Sequence, residues 1–304
     1  MIDTKLIILE GLPATGKTTT SQFLQIQLER NGHTVEWVHE VADPHPTIFI
    51  PDRLALDERY KKIALEKWAD FAEKALGNLE EIHIVDSAVF QCHIFLFLLN
   101  SAPPSDLQNF VREIFNIIAP LKPCLFYLYR GDTEASINFL ERDRGTQDLT
   151  KLWERDRALP YYRDKPEGAE GFKQFLRDYA AMAQGLFDTA ACKKAALEIV
   201  HEDWTHCKNE MLSFLGIEGM PEPEGRPVDG VYRNETLQFE MAVDGFTMVD
   251  PVGNTRGLIP KSKNEFYVER LPTVLRFERP GRVVIAGSPI CEEWTATGTI
   301  FEKS

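Results

Sequence analysis

Leu6-Ile7-Ile8-Leu9-Glu10-Gly11-Leu12-Pro13-Ala14-Thr15-Gly16-Lys17-Thr18 is the stretch whose reading decides the fold. Leu6 to Leu9 is an unbroken aliphatic run, the pattern of a strand buried on both faces. The loop that follows has the form G-x-x-x-x-G-K-[ST]. Its glycines let the backbone curl so that successive N–H groups face an anion, and the positive end of the next helix adds to that field. A phosphate-rich ligand is the natural occupant. Gly11, Pro13, Ala14, Thr15, Gly16, Lys17, Thr18 and Thr19 are the expected contacts. Lys17 would bridge the β- and γ-phosphates of a nucleotide, and the Thr18 hydroxyl would hold Mg²⁺.

Working outward, strand and helix patterns alternate through the first two-thirds of the chain. Strands are expected at Leu6–Leu9, Thr34–Val38, Ile82–Val85, Cys124–Tyr129 and Ala196–Val200. Helices are expected from about Lys17 to Asn31, Asp52 to Leu76, Ala88 to Asn100, Asp132 to Arg142, Phe172 to Phe187 and Thr205 to Leu215. Gly32 suits a left-handed cap, Gly77 a stop, and Ser105 with Gln108 a capping box. This alternation predicts an α/β, three-layer domain with a parallel sheet. It covers residues 1–217. Residues 218–227, rich in Pro, Gly and Glu, read as a linker. Beyond it Leu237, Phe239, Met241 and Val243 alternate with polar residues, Asp244-Gly245 marks a hairpin, and Pro280-Gly281 marks a turn. Residues 228–304 are therefore expected to form a small antiparallel, barrel-like all-β domain of five to eight strands.

Composition narrows the function. The 304 residues carry a formal net charge of -13, which argues against wrapping nucleic acid or lying on an anionic membrane. Ile94–Leu99 is too short to span a bilayer. The five cysteines form no C-x-x-C pair, and the N-terminus reads without a signal peptide, so a cytoplasmic setting with free thiols is expected. His201, His206 and Cys207 lack a fourth zinc ligand.

At these residues the chain resembles the thymidylate kinase and deoxynucleoside kinase branch of P-loop proteins, over about Lys5 to Ile217. The resemblance implies the P-loop NTPase fold, ATP and Mg²⁺ as the cofactors, and transfer of the γ-phosphoryl group to a small acceptor. Glu40 in His39-Glu40-Val41-Ala42-Asp43-Pro44 stands near where those kinases place an acceptor-side carboxylate, with Asp43 as the alternative. Asp86, ending Ile82-His83-Ile84-Val85-Asp86, stands where a Walker B segment holds Mg²⁺, or acts as the base. Ser87 occupies a position where the family carries Arg, which argues against a standard deoxynucleoside acceptor. Glu141-Arg142-Asp143-Arg144-Gly145 resembles the kinase lid, implying Arg142 and Arg144 as charge-stabilising arginines, with Arg155 and Arg157 behind them. Asp203-Trp204 falls where the family contacts adenine. Residues 228–304 resemble the β domains appended to β-lactamase-type serine hydrolases. Arg256, Arg270, Arg276, Arg279 and Arg282 would make this part basic, suited to an anionic ligand, to docking or to a homodimer. The competing readings are an NTP-binding regulatory module and an ATPase acting on a macromolecule.

Overall fold

A computed structural model describes residues 2–200, 204–279 and 281–304. In chain order the elements are β1 (Leu6–Gly11), α1 (Lys17–Arg30), β2 (Thr34–Val38), α2 (Glu58–Gly77), β3 (Glu81–Asp86), α3 (Gln91–Leu99), α4 (Pro104–Ile118), β4 (Cys124–Tyr129), α5 (Thr133–Arg144), α6 (Thr146–Asp156), α7 (Gly168–Thr189), β5 (Lys193–Glu198) and α8 (Trp204–Leu215). The barrel strands follow: β6 (Gly230–Asn234), β7 (Phe239–Asp244), β8 (Thr247–Val249), β9 (Thr255–Pro260), β10 (Glu265–Val268), β11 (Thr273–Arg279), β12 (Arg282–Gly287) and β13 (Ile300–Lys303).

The sheet has the order β2-β3-β1-β4-β5, with β1 at its centre. β1 runs parallel to β3 and β4, and β4 parallel to β5. Every residue of β1 is buried, as the uninterrupted apolar run predicts. α2 buries Tyr60, Ala64, Trp68, Phe71, Ala72 and Ala75 on the stripe set by helical spacing. The helix expected from Asp52 begins only at Glu58. A 3-10 turn at Asp52–Leu54 with a left-handed Arg53 interrupts it, and the Asp57 carboxylate then caps the new start at Tyr60 N, 2.7 Å away. Gly77 stays inside α2, and Asn78 is the C-cap. The capping box at Ser105 and Gln108 does not form. α4 starts at Pro104, whose missing N–H costs nothing in a first turn. The polar stretch 141–164 folds into the end of α5, α6 and a 3-10 turn that buries Tyr161 and Tyr162 against Phe175.

The chain divides into two compact units, Met1–Lys17 with Pro46–Ile217 and Thr18–His45 with Glu218–Ser304. The expectation placed a single boundary after residue 217, and Glu218–Ser304 lies wholly in the second unit. The segment Thr18–His45, however, groups with the barrel rather than with residues 46–217, because α1 packs on it. Ile26 of α1 clusters with Tyr267 and Val274 of the barrel. The 218–227 segment has no regular structure but is not a free tether. Gln27 accepts from Met220 N at 2.7 Å, and Asn31 donates to Glu218 O at 3.0 Å. α1 ends as expected, with Gly32 at φ 84 and His33 N donating to Leu28 O at 3.1 Å, a left-handed cap.

β6 to β13 close into a barrel of eight antiparallel strands. Its interior is filled by Tyr232, Met241, Met248, Phe266, Leu275, Phe277, Ile285 and Trp294, so it is a packed core rather than a channel. Gly245 takes φ 57 in the β7–β8 hairpin, and Gly281 takes φ 89 between β11 and β12, while Pro280 lies outside the described residues. Of the five barrel arginines named above, the Arg279 side chain lies outside the described residues, and the other four each face a carboxylate. Arg256 pairs with Asp250, Arg276 with Glu265, Arg282 with Glu278 and Arg270 with Glu269. No helix among the described residues is long and apolar enough to cross a membrane.

Candidate phosphate-binding site

Parallel strands all end at the same edge of a sheet, so the loops leaving β1, β3 and β4 meet there. Register fixes the neighbours. Leu9 of β1 lies opposite Asp86 of β3, and Gly11 opposite Leu128 of β4. After β1 the chain moves towards one edge of the sheet, and after β4 towards the other. Such a reversal point is the usual place for a ligand in an open α/β sheet.

The loop between β1 and α1 is tightly made. Gly11 has φ 153, Ala14 φ 63 and Gly16 φ 81. A Cβ on Gly11 would sit 2.3 Å from the Leu128 carbonyl oxygen, so only glycine lets β4 approach this closely. Ala14 holds a left-handed conformation that costs a residue with a Cβ about 1 kcal/mol. Thr15 closes the loop on itself, its Oγ1 donating to Leu12 O at 2.8 Å. Lys17 is 7% exposed, and its Nζ donates to Gly11 O and Leu12 O, both at 3.0 Å. The ammonium is therefore gathered into the loop instead of reaching into solvent. A Cβ on Gly16 would lie 1.9 Å from the indole of Trp204, so this ring lies directly on the loop. Asp203 lies outside the described residues.

Two residues at this edge had no place in the sequence expectation. Glu10 is fully buried at the end of β1. Its carboxylate accepts from Val89 N at 2.7 Å, Phe90 N at 2.8 Å and Gln91 N at 3.2 Å, binding the incoming turn of α3. Loss of water raises its pKa from 4.5 to about 7, and the three amides and the Lys17 charge offset only part of that. These bonds also explain why α3 begins at Gln91, later than its apolar pattern suggests. Arg130, just after β4, donates Nε to Ala14 O at 3.5 Å, and its guanidinium lies 3.9 Å from the centre of the Phe139 ring. An acidic residue inside an apolar strand was a legible sign for Glu10, since burying a carboxylate requires a partner. For Arg130 only its position after a strand was visible.

No protein-family model matches the chain, and no curated protein is significantly similar to it in sequence. The site must therefore be read from its own residues. Asp86 is fully buried at the end of β3. Thr18 and Thr19 are half-buried in the first turn of α1, and Pro13 and Ala14 are half-buried in the loop. Arg142 and Arg144 are exposed in the last turn of α5, with Arg142 5.2 Å from the Phe139 ring centre. The guanidiniums of Arg130 and Arg142 thus both lie within cation–π range of the Phe139 ring. Arg155 is held by Asp156 through two hydrogen bonds of 2.8 and 2.5 Å, and Arg157 lies over Trp153. Both have structural duties. Glu40 and Asp43 belong to the unit of α1 and the barrel. There Glu40 neighbours His39, whose pKa burial lowers against the opposing pull of the Glu40 charge. His93 is a packing residue. Burial lowers its pKa to about 3, and its Nδ1 pairs with Tyr60 OH at 2.6 Å. His201 lies outside the described residues, Cys207 is buried, and His206 faces Glu210 at 3.4 Å.

The donor set suits a magnesium nucleotide. A gathered ammonium in the loop and a buried carboxylate at the end of the neighbouring strand are groups such a ligand uses.

Proposed function

We propose that the protein is an ATP-dependent phosphotransferase of the P-loop kinase type, similar to thymidylate kinases, that moves the γ-phosphoryl group of ATP to a small acceptor. The observation that carries this reading is the Lys17 ammonium held inside the loop between β1 and α1, at the reversal point of a parallel sheet. In this reading the amides of Gly11 to Thr19 cradle the polyphosphate and Lys17 neutralises its outer charge. Thr18 and Asp86 would hold Mg²⁺, which supplies further neutralisation of phosphate charge. Arg130, which reaches the loop at Ala14 O, would add to the charge stabilisation expected of Arg142 and Arg144.

The reaction breaks the bond between the γ-phosphorus and the oxygen left on ADP, and forms one from phosphorus to an acceptor oxygen. The acceptor's proton leaves to a carboxylate, with Asp86 and Glu40 as the candidates. Catalysis is then mostly positioning and electrostatics. Ser87 in place of the arginine argues against a standard deoxynucleoside, and the acceptor in this reading is a nucleoside, nucleotide or similar small molecule. Free thiols and the acidic balance suit a cytoplasmic enzyme with no nucleic-acid or membrane partner.

The test is acceptor-dependent release of ADP from Mg-ATP across a panel of nucleosides, nucleotides and sugars. Lys17→Ala is expected to lower turnover roughly 10²–10³-fold, the cost of losing one transition-state donor, while the far-ultraviolet dichroism stays the same. Absence of nucleotide binding at millimolar concentration in the wild-type protein overturns the reading.

A further inference from the structure

We infer that the barrel is a holder for the helix that leaves the phosphate loop, and that Gln22 is the positioning residue through which it acts. This rests on reading Gly11–Thr18 as a nucleotide site. Residues four and three apart on a helix share a face, so Thr18, Gln22, Ile26 and Glu29 form one stripe along α1. The last three of these touch the barrel.

Gln22 is 3% exposed, and both amide protons and the carbonyl oxygen of its side chain bond to main chain. Its Nε2 donates to Val268 O at 2.7 Å and to Leu271 O at 3.0 Å, and its Oε1 accepts from Arg270 N at 2.7 Å. Such an amide has one way to sit. Val268 and Leu271 are themselves part of the barrel core, so the fastening point is rigid. A second fastening lies two turns on. Glu29 accepts from Tyr267 OH at 2.8 Å and pairs with Lys261, and Arg30 donates to Pro260 O at 3.1 Å. Ile26 fills the space between them against Tyr267 and Val274.

A helix tied at one point can still roll about its axis, but ties at Gln22 and Glu29 stop both roll and tilt. The amount at stake is set by geometry. Rolling by about 20° carries each Cα roughly 0.8 Å around a cylinder of radius about 2.3 Å. Misplacement of about 1 Å at a reacting centre costs on the order of 10²-fold in rate. The barrel thereby sets the rotation at which Lys17 and Thr18 enter the loop. Its paired arginines and packed interior leave this structural grip as its clearest feature.

The experiment uses the full chain with Gln22→Met, which keeps the side chain's length and removes all three hydrogen bonds. Hydrogen exchange is followed at the amides of residues 12–19 and in β11 and β12. The loop amides are expected to exchange about tenfold faster, the size of one net buried hydrogen bond, while the two barrel strands keep wild-type protection. With Mg-ATP and an acceptor, kcat is expected to fall roughly 10–100-fold, with a smaller change in KM. Unchanged exchange at 12–19 in the folded variant overturns the inference, as does wild-type kcat in a variant that binds Mg-ATP. If the wild-type protein binds no nucleotide, the functional reading fails by itself and the exchange comparison still decides the positioning. Should Gln22→Met fail to fold, Tyr267→Phe removes only the hydroxyl on Glu29. It is expected to give a smaller rise in the same loop amides, and no rise refutes the grip.

Discussion

Replacing Glu10 by glutamine should flatten the pH dependence of stability between about pH 4.5 and 7. In the folded chain this carboxyl keeps its proton up to about 7, against 4.5 when exposed to water. Burial is the main cause, and it outweighs the amides of Val89, Phe90 and Gln91 and the charge of Lys17. Between those two values the folded state binds more protons than the unfolded state, so stability falls as pH rises. The contribution is fully present below pH 4.5 and is lost once the pH has passed 7. At 1.36 kcal/mol for each tenfold change in proton affinity, the loss is about 3 kcal/mol. Glutamine has no proton to lose in this range. It can still accept from the backbone with its one oxygen, so the variant should fold. Urea unfolding midpoints in steps from pH 4.5 to 8, at constant m-value, give the difference between the two proteins. Histidines and other carboxyls cancel in that difference. Cys92 and Tyr127, which face Glu10, have pKa values raised above the window and stay neutral in it. Parallel curves for wild type and variant would refute the claim that Glu10 holds its proton in the fold.

Other substitutions test other links. Gly11→Ala places a methyl group 2.3 Å from the Leu128 carbonyl oxygen and is expected to cost at least about 3 kcal/mol through overpacking against backbone, seen as a fall in thermal midpoint. Arg256→Ala strips the partner from the fully buried Asp250 carboxylate, whose pKa this arginine and Asn254 hold down. A loss of about 3–5 kcal/mol is expected, as for a broken buried pair, and Asp250→Asn in the same background should recover part of it. Lys17→Ala removes two hydrogen bonds to loop carbonyls and is expected to lower the thermal midpoint by about 2 kcal/mol equivalent, while nucleotide binding collapses. A large loss of stability with intact binding would reverse the role assigned to it.

Strands β1, β2 and β4 could be read from their residues because each is a short run of apolar or β-branched residues between polar breaks. The loop after β1 was legible for a related reason, as its glycines are placed by local backbone demands. The start of α3 was not, since it depends on a carboxylate 79 residues earlier. The stretch 141–164 is rich in arginine and aspartate and carries no clear apolar stripe. Leu149, Tyr161 and Tyr162 nonetheless supply enough apolar surface to bury one side of it. α1 was the hardest case. Gln22, Gln25 and Gln27 are all buried, yet glutamine carries no hydrophobic signature, and the groups that receive Gln22 lie in the last fifth of the sequence. In the site, Lys17 and Asp86 were marked by their motifs, whereas Arg130 owes its importance to where β4 ends beside β1.

The grip on α1 has a consequence for how the chain is made. Gln22 and the carbonyl of Val268 are separated by 246 residues. At a synthesis rate of roughly 5–20 residues per second, the helix waits about 12–50 s on the ribosome before its seat exists. During that interval Gln22 and Ile26 lack the barrel residues that receive them, and this helix is open to chaperones and proteases.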